Sequence, residues 1–595
     1  MTLPLSFLKK IWRNRIEPQE HHRQLAREAG LEPFFASILA DRNLQDREEI
    51  RRFFEPRLSM LADPLGLRDM EKAVTRIVHA IQNNEKIAIF GDYDVDGATS
   101  SALLLRYFRS LGVDVRIYIP DRLTEGYGPN TPAMHTLSQA GVTLVITVDC
   151  GITAHEAMAT ARSLGMDAII TDHHLPRDTF PEAVAIINPN RTDDLFPHKE
   201  LAGVGVAFYL LMALNRELRS MGLFSGTRNE PDLKPLLDLV AVGTIADVAP
   251  LTGLNRILVK VGLLATEHTR HPGLQALMKE ARISGRLSAG QVGFQIGPRI
   301  NAGGRLSQGR LGAELLATDD PNRAGEIARF LEAANRERQA IEEKIQRQAM
   351  QQLTLLGTGE PIHGYVLADR HWHPGVVGIV ASRIAEKTHR PTVVIAVDEQ
   401  GIGKGSARSI PGVDLLQAIE ACQSLLMYYG GHHAAAGLTI EARQVQEFTK
   451  VFNDFLKDTI PAEVFQMALL VDGATRLTDF PFETVCQLER LQPFGRGNPE
   501  PVFVFENVRV DGYRILRDRH VKCHLSDLDD NSLEAIAFNV FPGPLGEGII
   551  SGTNRLDVAA SPSISRYQGR ERVQLVIRDA RPTPWGSVGN MSLEH

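Results

Sequence analysis

The sequence has 595 residues, of which 43% are hydrophobic and 23% charged, and its formal net charge is −7. Its length exceeds the size at which a single hydrophobic core stops growing, so we expect about three or four domains. The negative charge argues against a generally basic nucleic-acid coat, although it leaves a local basic groove open. Charged residues interrupt every apolar run before the ~20 residues that span a bilayer, and the four cysteines lie too far apart for a disulfide framework. We therefore expect a cytoplasmic protein without membrane association.

The first part of the chain predicts an α/β domain preceded by helices. Residues 1–69 are polar and helical in character, and we interpret them as a helical lead-in packed on the first domain. From residue 70 to about 260, helical patterns alternate with short β-rich runs, which is typical of a doubly wound domain with a parallel sheet. The predicted strands are Lys86–Phe90, Val113–Ile119, Thr143–Val148, Ala168–Thr171 and Ala185–Asn188.

Polar side chains that can bind metals follow three of these strands and one predicted helix, Leu236–Ala246. The carboxyl ends of parallel strands meet at one edge of a sheet, so we expect these side chains to lie close together. The candidates are Asp92, Asp94, Asp96, Asp149, His173, His174 and Asp247. Oxygen and imidazole ligands without a cysteine pair suit Mn²⁺ or Mg²⁺ better than Zn²⁺ or Co²⁺. One such aspartate alone could equally cap a helix, but the repeated pattern favours a metal site.

The rest of the chain divides into three further regions. Residues 261–354 form a connecting region with a Gly-, Arg- and Asn-rich segment, Gly297–Leu306, and a long amphipathic helix, Asn322–Leu353. Residues 355–460 predict a smaller α/β domain with strands Gly364–Ala368 and Thr392–Val397. Residues 461–595 are β-rich, and about five short strands with basic residues fit an OB-like barrel that binds single strands, or a purely structural β-domain.

Two segments of the smaller α/β domain carry groups suited to a phosphodiester. Gly403–Ser409 and Gly430–Gly437 offer backbone N–H groups, a hydroxyl, a guanidinium and imidazoles. The pair His432 and His433 could instead belong to another metal site, although no carboxylate lies nearby in the sequence.

Four short motifs, taken in chain order, carry a family resemblance. Asp94-Val-Asp96, Asp149-Cys-Gly, Asp172-His-His and Ala246-Asp247 resemble the motifs of the DHH phosphoesterase superfamily. Within it, Gly91-Asp-Tyr-Asp-Val-Asp-Gly and the segment Gln492-Pro-Phe-Gly-Arg-Gly-Asn-Pro-Glu-Pro resemble the RecJ family of single-strand-specific 5′→3′ DNA exonucleases. The resemblance covers about residues 70–590.

This resemblance implies an architecture and an activity. A DHH catalytic domain over residues 70–260 would be joined by the long helix to a DHHA1 substrate-binding domain over 355–460, with an OB-like nucleic-acid-binding domain over 461–595. The implied activity is metal-dependent degradation of single-stranded DNA to 5′ mononucleotides, from the 5′ end, in DNA recombination and repair, including mismatch repair. A single-strand-binding protein and a RecQ-like helicase are the implied protein partners.

The resemblance also implies two ions, Mn²⁺ or Mg²⁺, at the strand ends. The implied ligands are Asp94 for the first ion, Asp96, His173 and Asp247 for the second, and Asp149 bridging both. Phe90 stands where many relatives carry a histidine, so Asp92 is a further candidate for the first ion. His174 would contact the phosphate rather than a metal.

The implied substrate contacts lie in several segments. They are Arg122, Tyr127, Arg299, Asn301, Arg305, Ser406, Arg408, Gly431, His432 and His433. Arg122, Ser406 and Arg408 would hold the terminal 5′ phosphate, and a narrow passage between two lobes would admit one strand but not a duplex.

Two alternatives stay open at this point. A DHH/DHHA1 phosphodiesterase of short oligonucleotides or cyclic dinucleotides would share the first two domains, but such enzymes are usually compact and lack the C-terminal β-domain. A non-catalytic DNA-binding relative would share the fold but lose the ligands, whereas all four motifs are intact here.

Overall fold

The computed structural model describes residues 5–121, 125–126, 128–225, 229–305, 308–356, 362–551, 555–567 and 569–583. Within these residues the chain forms two compact units. The central unit comprises Glu55–Ile341 and Pro493–Pro499, and the flanking unit comprises the residues before Glu55, Glu342–Gln492 and those from Glu500 onward. Among the described residues, no helix combines the length and apolar character needed to cross a membrane.

The N-terminal part of the flanking unit contains a strand as well as helices. Its elements are β1 (Ile11–Asn14), α1 (Glu20–Glu28), α2 (Phe35–Asp41) and α3 (Arg47–Phe54). Strand β1 pairs in parallel with Ala468–Val471, and the ring of Phe34 lies 5.1 Å from Phe480 and 4.9 Å from Phe503. For the residues before Glu55, the expected helical lead-in packed on the first domain is therefore corrected, because they add a strand and pack on the C-terminal region. Leu67, from the last part of the predicted lead-in, lies in the core of the central unit.

The central unit is built on a wholly parallel sheet with the strand order β3-β2-β4-β5-β6. The strands are β2 (Ile87–Gly91), β3 (Val115–Tyr118), β4 (Leu144–Val148), β5 (Asp167–Thr171) and β6 (Ala185–Ile187). All five lie within two residues of the predicted bounds. They could be predicted because strands covered on both faces are nearly continuous apolar runs.

Helices cover both faces of this sheet, as expected for a doubly wound domain. The helices of the central unit before Pro321 are α4 (Met70–Gln82), α5 (Val95–Ser110), α6 (Thr131–Gln139), α7 (His155–Ser163), α8 (Gly203–Ser220), α9 (Leu237–Ala246), α10 (Gly253–Ala265), α11 (Pro272–Glu280), α12 (Ala289–Gln291), α13 (Gly297–Arg305) and α14 (Arg310–Ala317). Ile89 packs in the core with α4, α5 and α8, whereas its neighbour Phe90 packs in the opposite core with α6 and α7. A π-helix, Val292–Ile296, precedes α13, so the Gly- and Arg-rich segment is largely helical.

A long helix and a second sheet follow. Helix α15 (Pro321–Leu356) corresponds to the predicted helix Asn322–Leu353. The following elements are β7 (Tyr365–Asp369), α16 (Val377–Thr388), β8 (Thr392–Val397), β9 (Ile402–Arg408), α17 (Leu415–Glu420), β10 (Leu426–His432), β11 (Ala435–Glu441) and α18 (Val445–Thr459). The sheet has the order β10-β11-β9-β8-β7, in which β7 and β8 are parallel and the other neighbours antiparallel.

The C-terminal region forms a closed five-stranded barrel, which fits the predicted OB-like fold. Its elements are β12 (Ala468–Val471), β13 (Ala474–Thr475), α19 (Phe482–Glu489), β14 (Phe503–Leu516), β15 (His520–Ser526), β16 (Ser532–Ala537), α20 (Pro544–Ile550), β17 (Leu556–Tyr567) and β18 (Arg570–Pro582). Strands β14, β15, β16, β18 and β17 are neighbours in this order, and the pairing of β14 with β17 closes the barrel.

Short 3₁₀ helices link the elements of both units. They lie at Leu58–Met60, Pro64–Gly66, Lys234–Leu236, Thr266–His268, Gln423–Leu425, Ala442–Gln444, Ala462–Phe465 and Leu477–Asp479.

Candidate metal centre and active site

The predicted metal-binding side chains converge at the carboxyl edge of the central sheet. Within each of three groups the ligand atoms lie within 4.8 Å of one another: Asp92, Asp94 and Asp149; Asp96, His173 and Asp247; and Asp149, His173 and His174. The third group shares Asp149 with the first and His173 with the second. The edge therefore holds two sets of ligands that meet at Asp149 and His173.

Helix N-termini hold two of these carboxylates. Asp94 is the N-cap of α5, and its Oδ1 accepts the N–H of Gly97 at 3.0 Å. The buried Asp96 accepts the N–H groups of Gly203 and Val204, at 2.7 and 2.8 Å, from the first turn of α8. Unpaired N–H groups and the helix dipole stabilise negative charge at such positions. Both carboxylates are thus fixed in place before any ion binds.

Asp149 sits on a strained backbone and in a tight space. Its φ of +59° lies in the left-handed region that L residues other than glycine rarely adopt, and its N–H donates to the carbonyl of Thr171 at 3.0 Å. A Cβ added to Gly203 would lie 2.7 Å from Oδ1 of Asp149. Glycine at position 203 therefore makes room for this carboxylate.

Nε2 of His173 has the surroundings of a metal ligand. It lies 3.1 Å from Oδ1 of Asp149, 3.8 Å from Oδ2 of Asp96 and 3.9 Å from Oδ2 of Asp247. The atom is buried and has no hydrogen-bond partner in the described part of the chain. A buried polar nitrogen aimed at three carboxylates without a hydrogen bond fits coordination to a cation.

The electrostatics of the cluster favour bound cations. Burial is the largest cause that raises the pKa of Asp149 well above its usual range, and the negative charge of Asp96 is the next largest. Burial, followed by the charge of Asp247, raises the pKa of Asp96 to about 7, and burial with the charge of Asp94 raises the pKa of Asp247 to about 7. Crowded buried carboxylates repel one another unless protons or metal ions neutralise them. The donor set therefore fits divalent ions with oxygen and imidazole ligands.

His174 has a different environment from His173. Its side chain is 47% exposed, and its Nδ1 lies 2.7 Å from Oδ1 of the buried Asp172. Burial by itself would lower the pKa of His174, but the hydrogen bond and the charge of Asp172 outweigh it and raise the pKa to about 9. This imidazole is therefore positively charged at neutral pH and partly open to solvent.

Three residues to which the sequence pattern gave no role support the two histidines. The carboxylate of Asp172 also accepts the N–H groups of Ile152 and His173, at 2.9 and 2.7 Å. Asn188 and Asn190 donate their side-chain amides to the carbonyls of His174 and His173, at 2.9 and 2.6 Å. The available signal was the Asn-Pro-Asn that begins at the last residue of the last predicted strand of the sheet.

The position of Phe90 supplies no ligand, because the residue is fully buried and its ring stacks on Tyr118 at 5.2 Å. Asp92 is buried as well, and its Oδ1 accepts the N–H of Tyr93 at 2.7 Å. Asp92 is thus the carboxylate that joins Asp94 and Asp149 on this side of the site.

Of the five substrate residues predicted in the central unit, the structure describes the side chains of two, Arg299 and Asn301. Arg299 on α13 pairs through Nε with Oε2 of Glu332 at 2.7 Å and donates to the carbonyl of Gln295 at 2.7 Å. Asn301 is partly exposed on the same helix. Arg122 and Tyr127 lie outside the described residues, as does the side chain of Arg305.

A second polar group lies in the flanking unit, on β9 and the start of α16. Nη1 of Arg408 donates to Oγ of Ser406 at 2.8 Å, and a Cβ added to Gly378 would lie 3.0 Å from both side chains. Burial lowers the pKa of His432, and the charges of His433 and Arg408 lower it further. Ser406, Arg408 and the first turn of α16 therefore form a compact group suited to an anion.

The remaining two predicted substrate residues belong to the β10–β11 hairpin. Gly431 has φ +157°, and a Cβ there would lie 2.4 Å from the carbonyl oxygen of Ala435. His433 is exposed beside His432, with the ring centroids 5.4 Å apart. Among the described residues, no group of three metal-ligating side chains includes either histidine, which leaves the alternative of a further metal site without support.

Comparison with protein families supports the architecture. The model of the DHH family, N-terminal domain, matches residues 86–244, the DHHA1 domain matches residues 361–458, and the RecJ OB domain matches residues 471–579. These matches define the class of protein as one that combines the DHH and DHHA1 domains.

Individual relatives define the family more closely. The single-stranded-DNA-specific exonuclease RecJ of Bacillus subtilis is 37% identical over 581 residues, which cover 97% of this chain and 71% of that protein. The crystal structure of Thermus thermophilus RecJ in complex with Mn²⁺ matches with a TM-score of 0.77 at 30% identity, over 96% of this chain and 79% of that one. Its complex with Mg²⁺ matches with a TM-score of 0.71 at 28% identity, over 96% and 78% of the two chains. The chain belongs to the RecJ family.

Proposed function

We propose that this chain is a metal-dependent exonuclease that degrades single-stranded DNA from the 5′ end to 5′ mononucleotides, in DNA recombination and repair. The observation that carries the proposal is the convergence of the strand-end carboxylates and His173 on two adjoining sets of ligand atoms. The intact ligand sets argue against a non-catalytic relative. The RecJ-type OB domain over residues 471–579 argues against a compact enzyme of short substrates.

The cofactor is Mn²⁺ or Mg²⁺, the ions in the two Thermus thermophilus RecJ complexes. We assign the first ion to Asp92 and Asp94, the second to Asp96, His173 and Asp247, and the bridge to Asp149. The support is the ligand-atom spacing, the buried Nε2 of His173 without a hydrogen bond, and the raised pKa values of the carboxyl groups. When bound, two such ions activate a water molecule and neutralise charge on the attacked phosphate.

The protein's own groups complete the site. The cationic imidazole of His174, partly exposed beside the ligands, would donate to a non-bridging phosphate oxygen and stabilise the charge that grows there. Asp172 keeps that imidazole charged and oriented. Hydrolysis forms a bond from the water oxygen to phosphorus and breaks the bond from phosphorus to the 3′ oxygen of the terminal nucleotide, which takes up a proton. The released nucleotide therefore keeps its own 5′ phosphate, and the shortened strand carries a new one.

The polarity of degradation needs a group that recognises the 5′ end. Ser406, Arg408 and the first turn of α16 supply a hydroxyl, a guanidinium and helix N–H groups, which together suit a terminal phosphate dianion. The family resemblance also implies a role for Arg122 in binding the 5′ phosphate. A cytoplasmic location, with a single-strand-binding protein and a RecQ-like helicase as partners, completes the proposal.

The test uses a long 5′-phosphorylated single strand, labelled at either end and incubated with Mn²⁺. We expect wild type to release mononucleotides from the 5′ end and Asp149→Ala to release none. Asp114→Ala is the matched control, because this exposed aspartate precedes β3 at the opposite edge of the sheet. Cleavage of only di- or trinucleotides by wild type, or full activity of Asp149→Ala, would contradict the proposal.

A further inference from the structure

The segment Pro493–Pro499 belongs to the central unit, although its neighbours in sequence belong to the flanking unit. It forms a tight turn in which Gly495 and Asn498 pair through their backbones, with N···O distances of 2.9 and 3.1 Å. The side chain of Asn498 is fully buried and donates to the carbonyl of Pro493 at 2.8 Å. The turn is therefore fixed by its own hydrogen bonds.

This turn packs on the loop Pro250–Thr252, which connects the end of α9 to α10. The N–H of Leu251 donates to the carbonyl of Arg496 at 2.7 Å. A Cβ added to Gly495 would lie 2.7 Å from Cδ1 of Leu251, and one added to Gly497 would lie 3.0 Å from Cγ2 of Thr252. The glycines on either side of Arg496 thus bring its backbone onto the loop that follows the ligand Asp247.

The side chain of Arg496 is exposed, and its backbone is held on the loop that begins three residues after Asp247. In the part of the chain that the structure describes, no ion pair joins Arg496 to Asp247. The turn therefore places the exposed residue Arg496 next to the segment that follows this ligand, with its guanidinium available for an anion.

We propose that Arg496 binds a backbone phosphate of the DNA strand adjacent to the phosphate that is cleaved. A guanidinium offers a planar fork of donors that matches two oxygens of one phosphate. The fixed turn reduces the entropy lost when the contact forms. This inference rests on the proposed nuclease function and makes Arg496 a positioning residue, which sets the strand against the ions and His174.

The test measures binding of a 5′-phosphorylated, 3′-fluorescent oligothymidylate by anisotropy in EDTA, so that the strand is not cleaved. Arg496→Ala should weaken binding about tenfold and reduce the slope of log affinity against log salt by about 0.7, the value of one single-strand phosphate contact. Arg496→Lys should keep most of the salt slope. Arg162→Ala is the control, because this exposed arginine ends α7 just before the amino end of β5, opposite the site, and it should bind like wild type.

A second measurement identifies the phosphate. One linkage of the strand is replaced by a neutral methylphosphonate, and the position is moved along the strand from the 5′ end. Wild type should lose affinity when the neutral linkage stands next to the cleaved one. Arg496→Ala should lose no further affinity at that position, but it should lose as much affinity as wild type at the other positions. The inference is overturned if Arg496→Ala matches Arg162→Ala, or if no linkage discriminates between wild type and Arg496→Ala. A wild type that neither binds nor cleaves single strands would instead overturn the proposed function.

Discussion

Oδ1 of Asp172 lies 2.7 Å from Nδ1 of His174, and the same oxygen accepts the backbone N–H groups of both His173 and His174. One buried carboxylate therefore orients two neighbouring imidazoles that have different environments. Burial by itself would raise the pKa of Asp172, but the hydrogen bond and charge of His174 outweigh it and lower the pKa. Asp172 is thus an anion that supports the site without belonging to any of the ligand groups.

Asp172→Asn should act through His174. We expect His174→Ala to lower kcat about 100-fold, because a donor to the developing phosphate charge is lost. Asp172→Asn should lower kcat about 10- to 100-fold, since the imidazole loses its orientation and its charge. The double variant should be no slower than His174→Ala alone, and independent, multiplying effects would contradict this coupling.

Gly203→Ala should damage the metal site without unfolding the protein. The new Cβ would lie 2.7 Å from Oδ1 of Asp149, so the carboxylate has to move away from its position between the two ligand sets. We expect Mn²⁺ affinity to fall at least about tenfold, measured by calorimetric titration. Gly205→Ala is the matched control on the same helix turn, because its Cβ would meet only the flexible Leu201 side chain at 3.1 Å and more distant atoms. Equal Mn²⁺ affinities of the two variants would refute the steric argument.

Glu332→Gln should destabilise the central unit. Glu332 pairs with Arg299 and Arg336 at 2.7 Å each, and the side chains of Glu332 and Arg299 are only 10% and 14% exposed. Removing one charge of a buried pair leaves the other uncompensated, at a cost of about 3 kcal/mol.

The loss of stability in Glu332→Gln is measured as a shift of the thermal unfolding midpoint of the full chain. The control is Glu326→Gln on the same helix, because Glu326 is 60% exposed and its pairing with Arg323 should contribute under about 1 kcal/mol. A Glu332→Gln midpoint as high as that of the control would show that the pair adds no stability.

Arg408→Ala should abolish the preference for a 5′-phosphorylated end. Losing the guanidinium beside Ser406 removes a charge-assisted contact, so we expect kcat/KM on the phosphorylated strand to fall about tenfold or more. The strand with a free 5′ hydroxyl should be cleaved by the variant as by wild type. Arg443→Ala, whose side chain is 79% exposed in the same domain, should keep the preference. A similar loss on both substrates would argue against recognition of the terminal phosphate.

Local sequence pattern was sufficient for the central sheet and for the positions of its polar ends. A buried parallel strand is an apolar run, and a charged residue directly after it marks the carboxyl edge, as for Asp149 after β4. The hydrogen bonds that hold Asp96 could not be predicted, because its donors on α8 lie 107 and 108 residues away in sequence. The role of Gly203 could not be predicted either, for the same reason.

Two other features of the structure differ from the prediction for the same physical reason, because they depend on contacts that the local pattern does not identify. Strand β1 has four residues and exists because it pairs with Ala468–Val471, a partner at the far end of the chain that no local pattern identifies. Helix α13 keeps its glycines because close neighbours occupy the space of their missing side chains. A Cβ on Gly303, for example, would lie 2.9 Å from the carbonyl oxygen of Gln308.

The most direct test of the account is the number of Mn²⁺ ions that the full chain binds. Two sets of ligands that share Asp149 predict two ions per chain in wild type, counted by calorimetric titration. Asp94→Ala should keep only the ion held by Asp96, His173 and Asp247, and Asp247→Ala should keep only the ion held by Asp92 and Asp94. A wild type that binds a single ion, or an Asp94→Ala variant that still binds two, would contradict the two-ion site.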